Sequence, residues 1–214
     1  MKPPRYWKRA TRELAAVDPV MRKLIENSKG LTLRSRGDAF NTLARSIVGQ
    51  QISVKAAQSV WDRLVAAVPA MHPEIVRTHD AEQLRACGLS RSKVVYLVDL
   101  ATHFAEERLS VTRWDEMSDD ELIAELTQVR GIGRWTAEMF LIFYMMRPNV
   151  LPLDDIGLQN AVSRLYYKGR RLTRKQLTNF AKRWEPWRSV ATWYMWRSLD
   201  PVPVRSEEHT SELQ

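Results

Sequence analysis

Residues 126–137 read Leu126-Thr127-Gln128-Val129-Arg130-Gly131-Ile132-Gly133-Arg134-Trp135-Thr136-Ala137. One helix is expected to end near Leu126 and a second to begin near Arg134. Gly131 and Gly133 permit backbone angles that side chains forbid, and they let the turn come close to another molecule. The first amides of the second helix have no partner within it. With the helix dipole behind them, they suit a phosphate. The glycine pair alone also fits a plain helix–helix turn. It fits a dinucleotide fingerprint poorly, because the third glycine is missing and no strand precedes it.

Outward from this turn the pattern is helical nearly throughout. Val94, Leu97, Val98, Ala101 and Phe104 recur at three- and four-residue steps, as do Trp135, Met139, Ile142 and Met146, and then Leu158, Val162, Leu165 and Tyr166. Each set lies on one face of an amphipathic helix. Ser118-Asp119-Asp120-Glu121 before Leu122 is a helix-start signal. Pro148 is expected to close the helix ending near Met146. Leu31-Thr32-Leu33 is too short to count as a strand. The expectation is an all-α fold of about ten helices joined by short loops. Residues 38–127 would form a central helical lobe. The N-terminal stretch would pack with residues 138–204 as a second lobe, leaving a cleft between them as the natural site.

The 214 residues carry 33 Lys and Arg against 25 Asp and Glu, a net charge of +8. Such a surface attracts polyanions, nucleic acid foremost. Residues 205–214, RSEEHTSELQ, read as a translated sequencing adapter rather than native sequence. Without them the balance is 32 basic to 22 acidic residues, or +10. No apolar run approaches the roughly 18–20 residues of a membrane helix. The basic N-terminus lacks the apolar stretch of a secretory signal. The single cysteine, Cys87, excludes a disulfide framework and an iron–sulfur cluster held by four thiolates. The expected setting is a reducing compartment: the cytoplasm of a bacterium, beside its nucleoid, or a eukaryotic nucleus. The four histidines show no metal-ligand spacing.

Four ordered motifs then narrow the reading. The hairpin Val129-x-Gly131-Ile132-Gly133-x-x-Thr136-Ala137 is followed by Leu151-Pro152-Leu153-Asp154-Asp155. Upstream stand Phe40-x-x-Leu43-x-x-x-Ile47-Val48-Gly49-Gln50-Gln51-Ile52-Ser53 and Gly88-Leu89-Ser90-x-x-Lys93. Downstream stands Trp184-x-Pro186-Trp187-Arg188-Ser189-x-Ala191. Together they resemble the helix-hairpin-helix, Gly/Pro-Asp superfamily of base-excision DNA glycosylases, nearest the 3-methyladenine glycosylase II type. The resemblance runs from about Asp18 to Val204 and implies a two-lobed helical fold with its active site in the cleft.

The resemblance also implies roles. The catalytic aspartate begins the helix after the hairpin. Counting back from Ser163-Arg164-Leu165 aligns it with Asp155, with Asp154 as the fallback, although either could simply cap that helix. Trp135, Trp196, Met139 and Ile156 would line the base pocket, against ordinary core packing as the alternative for each. Gln51 would wedge into the gap left by a flipped base. Gly131, Gly133, Arg130, Arg134, Thr136 and Lys93 would contact the DNA. The basic run Arg170, Arg171, Arg174 and Lys175 reads as a solvated face. The carbonyls of Thr127, Val129 and Ile132 would hold a monovalent cation, Na+ or K+, and no other cofactor is expected.

The chemistry agrees with the residue types. Breaking a purine N-glycosidic bond builds positive charge on the sugar, and a fixed carboxylate favours that transition state. An alkylated base already carries positive charge and leaves without a strong general acid. Family members that also cut the backbone through a Schiff base place a lysine where this chain has Trp135. Water is therefore the expected nucleophile. The expected partner is double-stranded DNA with alkylated bases, bound by a monomer. The rival reading is a helix-hairpin-helix module that grips DNA without catalysis. A third keeps the fold and changes the base to an oxidised purine.

Overall fold

The computed structural model describes residues 3–35 and 37–199. The adapter-like tail at 205–214 and the stretch 200–204 lie outside the described residues. Among the described residues there are twelve α-helices, three short 3-10 turns and no strand, so Leu31-Thr32-Leu33 is a plain connection.

Helices α1 (Trp7–Val17) and α2 (Pro19–Asn27) pack on α12 (Arg188–Arg197). Tyr6 stacks on Trp187, and Trp7 meets Trp193 edge-on at 5.2 Å. The joint is pinned by Asp18, which is 2% exposed. It caps α2 through the Val20 and Met21 amides and also accepts from Tyr166 Oη (2.8 Å) and Trp184 Nε1 (3.2 Å). Four donors satisfy a carboxylate that burial alone would make costly.

The middle of the chain forms α3 (Ala39–Gly49), α4 (Val54–Ala67), α5 (Pro73–Thr78), α6 (Ala81–Ala86), α7 (Arg91–Ala105) and α8 (Asp119–Leu126). Four of these starts follow ordinary capping chemistry: Asp38, Ser53, Asp80 and Ser90 each accept amides of the turn they open. Ser118 and Glu121 form the reciprocal capping box that their spacing predicts. Trp114 is 2% exposed, and its indole N–H is satisfied by Glu125 at 2.8 Å. Burying such a ring contributes several kcal/mol only because its polar atom keeps a partner.

Helix α9 (Arg134–Phe143) follows the hairpin, then come α10 (Ile156–Tyr166) and α11 (Arg174–Ala181). Helix α9 stops at Phe143, not near Met146. Its last turn widens, with the Met145 amide reaching Phe140 O and the Arg147 amide reaching Leu141 O. Met146 then turns left-handed at φ +56, and its carbonyl accepts from Tyr6 Oη at 2.7 Å. A tertiary bond from the N-terminal segment thus takes up a carbonyl that a longer helix would have used, and Pro148 lies beyond the stop.

Candidate active site

A cleft of about 800 Å³ opens between the α3–α4 pair on one side and α9, the start of α10 and α12 on the other. Asp155 lies on its floor, 8% exposed, as the N-cap of α10. Its Oδ1 accepts the Leu158 amide at 2.6 Å and the Trp196 indole N–H at 2.7 Å. Its Oδ2 accepts the Trp135 indole N–H at 2.9 Å. Two donors occupy Oδ1 and one occupies Oδ2, so Oδ2 keeps the greater capacity to face a reacting centre. Capping and catalysis are compatible roles here, because the cap bond orients the carboxylate and the helix dipole favours its charge. Asp154 is exposed and ion-paired with Arg174, away from the cleft.

Trp135 is 45% exposed, with Met139 one turn further along α9 and Phe143 one turn beyond that; all three line the cleft. Trp196 stacks on Phe143 with ring centroids 5.6 Å apart and an interplanar angle of 14°. Gly157 makes this possible. A Cβ there would stand 3.1 Å from both Asp155 Oδ1 and Trp196 Cδ1, so a side chain would force the carboxylate or the indole to shift by a few tenths of an ångström. Ile156 departs from the expected pocket: it is 70% exposed and does not line the cleft. As the first residue of α10 it points opposite to the cap whose side chain turns inward.

The hairpin forms where its glycines predict, but they differ in role. Gly131 has φ +82, and a Cβ there would come within 2.3 Å of the Tyr96 ring. Gly133 has φ −89, which any residue adopts, and open space around its α-carbon. It caps α9 without a side chain, leaving the first-turn amides bare toward solvent. Arg130 is exposed. Arg134 is ion-paired with Glu138 at 3.0 Å and reaches Asp120 at 3.4 Å. Thr136, expected at the DNA, is 5% exposed and lines the cleft. The Lys93 ammonium donates to Val48 O at 2.8 Å, a bond the sequence did not suggest. Burial pushes its pKa down.

The facing wall was not read from sequence. Arg45 lies over the Trp61 ring at 5.0 Å and donates to Gln58 at 2.6 Å; all three line the cleft. Arg45 and Asp155 are the two charged residues among those lining it. Gln51 stands at its mouth, exposed, at φ +57. Phe143 had a signal, lying four residues after Met139 and eight after Trp135 on one helix face. Gly157, Arg45 and Trp61 had none, because Trp196 lies 39 positions from Gly157 and the pairing of Arg45 with Trp61 joins two helices.

An all-helical cleft with an acid at a helix cap, beside a Gly-x-Gly hairpin, defines a class of DNA-repair proteins. The chain belongs to that class: the model of the HhH-GPD superfamily of base excision DNA repair proteins matches residues 44–186. It is 32% identical over 197 residues to DNA-3-methyladenine glycosylase 1 of Schizosaccharomyces pombe, covering 87% of this chain and 86% of that protein. It is 31% identical over 185 residues to YfjP of Bacillus subtilis, covering 83% of this chain but only 64% of that protein's length. The solved S. pombe 3-methyladenine DNA glycosylase in complex with abasic DNA superposes with a TM-score of 0.78 at 29% identity, over 89% of this chain and 96% of that one.

Proposed function

We propose that the protein is a monofunctional DNA glycosylase that flips an alkylated purine of the 3-methyladenine type from duplex DNA and hydrolyses its N-glycosidic bond in base excision repair. The observation that carries this is the Asp155 carboxylate, held by two indole N–H groups and one amide on the floor of an aromatic cleft. Capping α10 accounts for the Leu158 bond but not for the two indole donors that α9 and α12 bring to the carboxylate.

In this reading the bond between C1′ and the base nitrogen breaks, and its electron pair leaves with the base. Asp155 Oδ2 faces the sugar as positive charge develops, lowering the barrier electrostatically. Water adds at C1′ and gives up its proton to the carboxylate or to solvent, leaving an abasic site. The faces of Trp135 and Trp196 receive the electron-poor base, and Met139 fills the pocket beside them. Gln51 enters the vacated stack. The hairpin amides and Arg130 take a phosphate. The likeness to the S. pombe glycosylase with its abasic DNA supports duplex DNA as the partner.

A monovalent cation, Na+ or K+, fits the hairpin. Val129 O accepts the Ile132 amide, while the carbonyls of Thr127 and Ile132 accept no backbone amide among the described residues. These three oxygens would hold the ion, which would draw a phosphate toward the turn. We place the activity on chromosomal DNA, in the bacterial cytoplasm or a eukaryotic nucleus, and assign it to a monomer. Among the described residues no helix is long and apolar enough to cross a membrane.

The test is release of free base from methylated duplex DNA by the wild type and by Asp155→Asn at matched DNA affinity. Release by the wild type alone supports the reading, and borohydride should trap no covalent adduct. Tight binding with no release by either protein points to the gripping module.

A further inference from the structure

The turn carrying Gln51 adopts a conformation that its own residue disfavours. Gln51 has φ +57, the left-handed region that crowds a Cβ against the backbone. Two side-chain bonds hold the residues before it, one made by Lys93 from α7 and one made by Gln50 itself to the hairpin. Lys93 Nζ donates to Val48 O at 2.8 Å, taking up a carbonyl at the end of α3 that has no partner in the helix. Gln50 Nε2 donates to Gly131 O at 2.8 Å, crossing directly to the hairpin.

Lys93 is the first of three residues on one face of α7. Three positions on, the Tyr96 ring lies so close beneath Gly131 that a Cβ could not fit. Three further on, Asp99 Oδ2 accepts the Arg130 amide at 2.9 Å. Steps of three along a helix keep side chains on one side of it. One face of α7 therefore holds both the end of α3 and the hairpin turn, while Gln50 ties the two together.

We propose that Lys93, Tyr96, Asp99 and Gln50 are positioning residues that set the distance between the Gln51 turn and the phosphate-gripping hairpin, so that wedge and phosphate contact engage the duplex in register. The proposal rests on the glycosylase reading in taking Gln51 as the wedge. Unstacking a base carries a cost that the enzyme must offset, and a fixed spacing lets the wedge enter while the hairpin holds the backbone. In this proposal Lys93 serves by its bond to Val48, made by an ammonium that is partly buried.

The experiment compares Lys93→Met, Lys93→Arg and Gln50→Leu with the wild type in three measurements. These are affinity for undamaged duplex across a salt series, fluorescence of 2-aminopurine placed beside an abasic-site analogue, and single-turnover release of alkylated base. Lys93→Met and Gln50→Leu are expected to keep the affinity and salt slope of the wild type. Both should lose fluorescence enhancement, and release should slow on the order of tenfold or more, as misplacement of working groups does. Lys93→Arg keeps a donor for Val48 O and should restore both signals. Thermal melts confirm that each variant is folded.

If Lys93→Met instead weakens undamaged-duplex binding and lowers the salt slope by about one, Lys93 is a phosphate contact and the proposal fails. It also fails if fluorescence and release are unchanged in both variants. Should the wild type release no base while its fluorescence signal falls in the variants, the positioning role stands and the glycosylase reading fails. The fluorescence reports the DNA distortion without any chemistry.

Discussion

The Trp196 indole N–H donates to Asp155 Oδ1 at 2.7 Å while its ring lies nearly parallel to Phe143. One side chain thus orients the acid and walls the pocket. Trp196→Phe separates these duties, since it keeps an aromatic face and deletes the donor. Single-turnover base release should fall on the order of tenfold to a hundredfold, the loss of about 1.5–3 kcal/mol expected for a hydrogen bond to a charged group. Affinity for an abasic duplex should change little. An unchanged rate would assign Trp196 to packing alone.

Gly157→Ala tests the same contact from the opposite side. The added methyl would stand 3.1 Å from Asp155 Oδ1 and from Trp196 Cδ1, so the carboxylate or the indole must move by a few tenths of an ångström. We expect slower release with a melting temperature close to wild type, because the methyl intrudes at the cleft and alanine favours the helix. Measuring rate and melting temperature on one preparation checks both.

The two hairpin glycines should respond differently. Gly131→Ala forces a side chain into a left-handed residue and into the Tyr96 ring; it should destabilise the fold by about 1–3 kcal/mol. Gly133→Ala meets open space at an ordinary φ and should leave stability within about 0.5 kcal/mol. It should still weaken DNA binding, because the methyl stands where a phosphate approaches the α9 amides. Thermal melts and a binding isotherm for each variant separate the effects.

Glu138 gives a pH-dependent expectation. It is 3% exposed, with Oε2 unpaired, and burial raises its pKa above 4.5 despite the Arg134 guanidinium. A carboxyl with a raised folded pKa favours the fold while protonated, and that contribution is lost as pH rises through the folded value. Glu138→Gln mimics the protonated form. The melting temperature of the variant relative to wild type should therefore climb as pH is raised from below 4.5 toward neutrality. A difference independent of pH would show that Glu138 ionises in the fold as readily as in the unfolded chain.

Much of this protein is legible locally. The capping box at Ser118 and Glu121, the break between Leu126 and Arg134 and the apolar faces of α7 and α10 all depend on neighbours within four residues. The same holds for Asp155 as the cap of α10, so its place at a helix start was readable without a fold. Ile156 shows the limit of this reading. The family resemblance implied the pocket, but the direction of a side chain at the first turn depends on the helix axis, which packing sets.

What the sequence by itself determined is an all-helical chain with a Gly-x-Gly hairpin, an acid one helix later and a basic surface, because helix periodicity, capping and glycine geometry are short-range properties. The tertiary structure alone decided which partners meet. It brought Trp196 to Asp155 across 41 positions, Gln50 to Gly131 across 81 and Lys93 to Val48 across 45. It also tied Lys93, expected at the DNA, to the end of α3. Such bonds depend on how helices pack, and packing is settled by the burial of the whole core rather than by any one stretch of residues.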